Sequence, residues 1–268
     1  MIHRPTLSPP GGGDNKYSRG LVAVIGGEMP GASRLAARAA MHGGSGYVIL
    51  ATPAPQHCLP DALVTRVLAS VDDLLELLAD DRIRTLLIGP GLGRGEQARE
   101  WLDHCIASNL PLVLDGDALT LLGHQAATRL AERAVRLATN NVPTIITPHE
   151  GEFNRMFPGE GEKGPRTASA GQASYATIIH KGANTVVGGQ FGYGESDEGS
   201  PWLSVAGTGD VLAGIMAARL AHRDPNPRDA AFEAVWLHTR IADLAGPAFI
   251  ADDLIPLIPR AIAECLEN

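Results

Sequence analysis

Residues 21–50 read LVAVIGGEMPGASRLAARAAMHGGSGYVIL, and the fold follows from them. Leu21 to Ile25 is an unbroken apolar run ended by Gly26-Gly27, the pattern of a strand buried on both faces. From Gly31 to His42 alanine and leucine recur at the helical period, and Gly43-Gly44 stops the pattern. Tyr47 to Leu50 is apolar again. Two apolar strands joined by an amphipathic helix predict a parallel βαβ unit.

Working outward, Leu86 to Ile88, Leu112 to Leu114 and Thr144 to Thr147 repeat the theme, with Glu150 to Phe157 as a short helix after the last. Ala176 to Ile179 and Thr185 to Val187 sit close across a turn at Lys181-Gly182, which predicts an antiparallel pair. Val211 to His222, Arg228 to Leu244 and Asp253 to Leu266 read as closing helices. No internal repeat or linker interrupts the pattern. The expectation is an irregular lead-in over 1–19 and one layered αβα domain over 20–268.

Composition agrees with that class. At 268 residues the chain can bury a sizeable core, and with aromatics at 4% that core must be largely Ala, Leu, Val and Ile. Hydrophobic residues at 44%, charged residues at 19% and a mean hydropathy of +0.01 indicate neither disorder nor a membrane protein. The 31 glycines and 19 prolines call for many turns. A net charge of −8 argues against nucleic-acid binding through a basic face. Cys58, Cys105 and Cys265 are far apart with no CxxC, so reduced thiols are expected and a structural zinc site is not. The longest stretch without Asp, Glu, Lys or Arg, Ala39 to Pro60, is broken by histidines, glycines and prolines and spans no membrane. Pro9, Pro10 and Gly11 to Gly13 stand where a signal peptide has its apolar core, so the expected compartment is the cytoplasm.

Five segments carry chemistry-bearing groups. In Ala206 to Gly214 (AGTGDVLAG), small residues precede a helix whose first amides can bind an anion. Gly207 and Gly209 allow phosphate oxygens close to the main chain, and Asp210 can take a proton from an attacking hydroxyl. An ordinary helix start capped by Thr208 or Asp210 explains the spacing equally. Leu212 at the third glycine position excludes a Rossmann fingerprint, and no Gly-Lys-Ser/Thr occurs for a Walker loop.

The other four lie at strand ends or turns. Gly89-Pro90-Gly91-Leu92-Gly93 follows a strand, where open α/β sheets bind ligands, or is simply a tight turn. After Leu114, Asp115 could hold magnesium through water or a substrate hydroxyl, while Asp117 is read as the cap of the next helix. In Thr147 to Glu152 (TPHEGE), Glu152 could orient hydrated magnesium and His149 could meet a ligand; a proline-led helix start with favourable acidic residues is the plainer reading. Lysine is confined to Lys16, Lys163 and Lys181 among 22 basic residues. Lys181 beside Gly182 suggests a charge aimed at nucleotide phosphates, or a solvated hairpin turn.

In order along the chain, IGGEMPGASRLAARAA, IGPGLG, LDGDAL, TPHEGEF, HKGANT and AGTGDVLAG resemble the NAD(P)H-hydrate dehydratase family of ribokinase-like proteins, from about Lys16 to the C-terminal helices. AGTGD marks the superfamily; TPHEGEF, HKGANT and GPGLG narrow it. The resemblance implies a ribokinase-like three-layer αβα sandwich, its central sheet mostly parallel with an antiparallel edge. It implies repair of the S-epimer of hydrated NADH or NADPH: ADP (or ATP) phosphorylates the ring hydroxyl, and phosphate then leaves. By the same resemblance, Asp210 is the base and a substrate contact, with Gly207, Thr208 and Gly209 forming the anion hole. Lys181, Gly182, Ala183, Asn184, Thr185 and Gly209 would contact the adenine nucleotide. Ala32, Gly91, Gly93 and His149 would line the dinucleotide pocket, and Glu152 would act indirectly on Mg2+.

His149-x-x-Glu152 stands where superfamily kinases commonly have Asn-x-x-Glu, and Gly116 where the family often has alanine; Gly159 to Gly171 is short. Relatives often form tetramers, and many bacterial ones carry a fused epimerase domain; a separate epimerase is therefore the expected partner. Two other readings stay open: a kinase of a small alcohol such as a thiamin precursor, and a nucleotide-binding sensor without catalysis.

Overall fold

Each side chain of Leu21–Ile25 is fully buried, and they alternate between two cores. Val22 and Val24 enter one; Leu21, Ala23 and Ile25 enter the other. This period of two puts a helical layer on each face of the sheet. The computed structural model describes residues 1–57, 60–222 and 226–266. Cys58 lies outside them; Cys105 and Cys265 are buried and free.

In chain order the first half holds β1 (Leu21–Ile25), α1 (Pro30–His42), β2 (Tyr47–Thr52), β3 (Val64–Val67), α2 (Val71–Leu78), β4 (Ile83–Ile88), α3 (Glu96–Ala107), β5 (Leu112–Leu114), α4 (Asp117–Leu122) and α5 (Ala126–Arg136). The second holds β6 (Thr144–Ile146), α6 (Glu150–Met156), α7 (Lys163–Ser174), β7 (Thr177–His180), β8 (Val186–Gly189), β9 (Gly192–Glu195), α8 (Thr208–Leu220), α9 (Pro227–Ala245), α10 (Ala251–Leu254) and α11 (Ile258–Leu266). The sheet order is β3-β2-β1-β4-β5-β6-β7-β8-β9. All pairings up to β7 are parallel, and β7-β8-β9 are antiparallel, as expected. Strand order reverses between β1 and β4, and the crevice outside the carboxyl ends there is where such sheets place ligands.

One core packs α1, α8, α9, α10 and α11 on the sheet; the other packs α2 to α7. Helix α8 is buried along nearly its whole length. Small residues let it approach α1 closely: a side chain on Gly214 would meet the Ala36 carbonyl oxygen at 2.1 Å. The lead-in is irregular, yet Ile2 and Leu7 are buried, and their amides donate to the carbonyls of Glu195 (2.7 Å) and Cys265 (3.2 Å).

Four elements were not expected. Strand β3 is a half-exposed edge of only four residues. Helix α2 carries a Ser70–Asp73 capping box. Helix α7 is rich in Gly, Ser and Ala; it forms because close packing against β8 overrides propensity, with Gly171 against the Gly189 backbone. Strand β9 is GYGE, with no apolar run. The helix expected over 253–266 is instead divided by a 3₁₀ turn, Ile255–Leu257, which contains Pro256.

Candidate active site

The site is assembled from loops at the carboxyl ends of the strands and from the first turn of α8. Gly207 precedes α8 with φ +91°, a conformation that favours glycine. A side chain there would also meet Leu35 Cδ1 at 2.7 Å and Ala251 Cβ at 2.9 Å. No side chain caps this helix. The Thr208 hydroxyl is committed to the carbonyls of Leu203 (2.8 Å) and Val205 (3.1 Å), so it anchors the incoming loop and leaves the Thr208 amide to the turn. From beneath, His238 Nε2–H donates to the Thr208 carbonyl at 2.9 Å. Burial of His238 pushes its pKa down to about 4, which keeps the ring neutral.

Asp115, at the end of β5, is buried and binds two partners through Oδ1: the Lys181 ammonium at 2.7 Å and the Thr147 hydroxyl at 2.6 Å. Burial pulls the Lys181 pKa down, but Asp115, with Glu152 and Asp210, more than offsets it and holds the ammonium above its usual range. A methyl group on Gly209 would lie 3.3 Å from Lys181 Nζ, so this cation reaches the open turn of α8. Burial raises the Asp210 carboxyl to about 7; Asp115 and Asp117 add to the rise, and Lys181 opposes it.

His149 and Lys181 are neighbours because an isolated parallel bridge extends β6 alongside β7, with the Lys181 amide donating to the Pro148 carbonyl at 2.8 Å. His149 is the N-cap of α6: its Nδ1 accepts from the amides of Gly151 (3.0 Å) and Glu152 (3.3 Å), and Glu152 Oε2 accepts from the His149 amide at 2.9 Å. Both residues thus shape the loop, while Glu152 Oε1 stays free of main-chain amides, 3.6 Å from His149 Nε2.

The loops after β1 and β4 are joined by a hydrogen bond from the Met29 amide to the Gly91 carbonyl, 2.9 Å. The approach is so close that a side chain on Gly91 would fall 2.1 Å from the Met29 carbonyl oxygen. Asp117 does not cap α4. Its carboxylate accepts from the Gly93 amide (3.0 Å) and the Arg94 guanidinium (2.7 Å), locking GPGLG to the loop after β5. Ala32 lies in the first turn of α1, half-buried, one turn before the Leu35 that touches Gly207.

The residues singled out in the sequence therefore gather at one end of the sheet: Gly207 to Asp210 beside Lys181, Lys181 beside His149 and Glu152, and Gly91 and Gly93 against Met29 and Glu28 of the loop that leads into the α1 turn of Ala32. The Asp115–Lys181 pair and the Asp117–Gly93 lock have no signature in the local sequence. Both join residues distant in sequence, and only the strand order brings them together. Cavities of about 400 and 990 Å³ open at the other end, by His222 and by Pro143, Thr144 and Thr177, away from these groups.

A profile of the NAD(P)H-hydrate dehydratase family matches residues 22–262. The bifunctional NAD(P)H-hydrate repair enzyme Nnr of Gloeobacter violaceus is 37% identical over 246 residues, 84% of this chain and 45% of that protein. The enzyme of the same name from Mycobacterium tuberculosis is 35% identical over 228 residues, 83% and 45% of the two chains. The chain thus spans about half the length of these relatives. Among solved structures, the ADP/ATP-dependent NAD(P)H-hydrate dehydratase of Bacillus subtilis, co-crystallised with ATP/Mg2+, superposes with a TM-score of 0.79 at 25% identity, covering 97% and 95% of the two chains. A hydroxyethylthiazole kinase from Pyrococcus horikoshii (TM-score 0.64, 18% identity, 90% and 88% covered) shares the fold.

Proposed function

Because this chain belongs to the NAD(P)H-hydrate dehydratase family, we propose that it restores NADH and NADPH from their hydrated S-epimers at the expense of ADP or ATP. The observation that carries this reading is the uncapped first turn of α8, with Asp210 on it and the Lys181 ammonium against Gly209.

The chemistry divides into two steps. A ring hydroxyl of the hydrated dinucleotide attacks the terminal phosphorus of the nucleotide; an O–P bond forms, the bridging P–O bond breaks, and AMP leaves if ADP is the donor. The hydroxyl proton passes to the Asp210 carboxylate, whose elevated pKa of about 7 suits a base at neutral pH. Amides of Thr208 and Gly209 stabilise the charge on the transferring oxygens, with Gly207 shaping the approach. Phosphate then leaves the ester by C–O cleavage, and the neighbouring ring carbon gives up its proton, which the departing phosphate or water can take, so that the C–H electron pair forms the double bond of the restored dihydropyridine. Lys181 bridges the two sides, held by Asp115 and directed at Gly209, while Gly182 to Thr185 would receive the nucleotide. Ala32, Gly91, Gly93 and His149 would line the pocket for the dinucleotide.

Magnesium would arrive with the nucleotide. Among the described residues no three His, Cys, Asp or Glu side chains converge as a metal cage, and Mg2+ is commonly held by one or two carboxylates, phosphates and water. Glu152 Oε1 and the second oxygen of Asp115 are the carboxylate atoms available to its hydration shell. When bound, the ion supplies charge neutralisation on the phosphoryl group.

We read residues 20–268 as one domain with this activity, working in the cytoplasm, with a separate epimerase supplying the reactive epimer and assembly as a tetramer. No helix among the described residues is long and apolar enough to cross a membrane. The deciding experiment gives purified protein hydrated NADPH, magnesium and either ADP or ATP, and follows NADPH by absorbance. Recovery of NADPH supports the proposal; no recovery with either nucleotide rejects it. A stable phosphorylated small alcohol would instead mark a kinase, and binding without turnover a sensor.

A further inference from the structure

Lys163 heads α7, 18 residues before Lys181, outside the strand-end segments that carry the proposed chemistry. Its ammonium nevertheless lies directly behind the turn of Lys181 to Thr185. Lys163 Nζ donates to the Asn184 carbonyl at 2.6 Å and to the Lys181 carbonyl at 3.2 Å. A side chain on Gly182 would fall 2.6 Å from the same nitrogen, so the turn is drawn tightly onto it. Burial lowers the Lys163 pKa, with Glu150 and Glu195 opposing the shift.

Peptide planarity makes this contact directional. A carbonyl and the amide N–H that follows it point opposite ways across a trans peptide. With the Lys181 carbonyl held toward Lys163, the Gly182 N–H turns away from it. The Gly199 amide grips the Ala183 carbonyl at 2.8 Å, which turns the Asn184 N–H away from Gly199. Neither the Gly182 nor the Asn184 amide has a hydrogen-bond partner among the described residues. The Thr185 amide is already satisfied by the Ser196 hydroxyl at 3.0 Å.

We propose that Lys163 is a positioning residue for the nucleotide: by pinning the Lys181 carbonyl from behind it presents the Gly182 amide, and by holding the Asn184 carbonyl it tightens the rest of the turn, so that Lys181 and the free amides beside it form a preformed cradle for the anionic donor. The inference rests on the reading of this turn as the nucleotide loop. Charge-assisted hydrogen bonds of this geometry are the strong ones, and two of them act on one short turn.

The test is calorimetric titration of ADP with magnesium into wild type, Lys163→Met and Lys163→Arg, with steady-state kinetics alongside. Lys163→Met should weaken ADP binding and raise its KM by about tenfold, leave the KM for hydrated NADPH within about twofold, and be partly rescued by arginine. Thermal melts check folding; if the methionine variant is destabilised, Lys163→Gln, which keeps one donor, is read in its place. Unchanged ADP affinity in a folded variant, or arginine no better than methionine, overturns the inference and leaves the proposed function standing. Failure of wild type to bind ADP would instead remove the nucleotide reading itself.

Discussion

At the scale of single residues, the proposed chemistry turns on Asp210 and the two glycines beside it. Asp210 has a folded-state pKa of about 7, far above the ordinary 3.8 of an aspartate. In the free enzyme kcat/KM should therefore rise between about pH 6 and pH 8 with a midpoint near 7, read in the NADPH-recovery assay; a flat profile would remove Asp210 as the base. Stability moves the other way. A raised pKa means that the folded state holds the proton more tightly, so the contribution is complete below 3.8 and is lost as pH rises through about 7. Asp210→Asn should accordingly raise Tm more at about pH 8 than at about pH 5, and an equal shift at both would contradict the burial argument. The glycines differ in kind. Gly207→Ala meets both a positive φ and Leu35, and should cost about 2 kcal/mol or more in a denaturant melt. Gly209→Ala meets only Lys181 Nζ at 3.3 Å, and should fold normally while losing nucleotide affinity.

At the scale of elements, strand ends are joined by ionic contacts between distant parts of the chain. Asp115 is only 3% exposed, and Lys181 is its ionic partner. Lys181→Met strands a buried carboxylate and should destabilise the protein by about 3–5 kcal/mol, whereas adding Asp115→Leu should recover most of that loss in urea melts. An additive double mutant would show that the pair is not coupled. The apolar runs of β1, β4, β5 and β6 were legible in the sequence because strands buried on both faces are continuously hydrophobic. Edge strands β3 and β9 lack that signal, and α7 owes its helix to packing against β8. Asp117 shows the limit at a motif: position beside a helix start suggested a cap, but its carboxylate serves the Gly93 amide and Arg94 in another loop. Local spacing locates a polar residue on an element without revealing which remote loop it serves.

At the scale of the molecule, the parallel sheet brings six short motifs from across the chain to one rim, and α8 is fixed there by burial against α1 and α9. The sequence identified the motifs; their mutual placement comes from strand order, with β1 and β4 adjacent and β7 carrying Lys181 back toward Asp115. In the proposed mechanism, backbone amides and one carboxylate on this rim activate a migrating phosphoryl group for an otherwise inert ring hydroxyl. The most direct measurement compares ADP affinity and NADPH recovery in wild type and Asp210→Asn. With ADP as donor, wild type should yield one AMP and one phosphate per NADPH restored, and the variant no NADPH although its ADP affinity stays within about tenfold. Near-normal recovery by Asp210→Asn, or recovery by wild type without consumption of nucleotide, would contradict this mechanism.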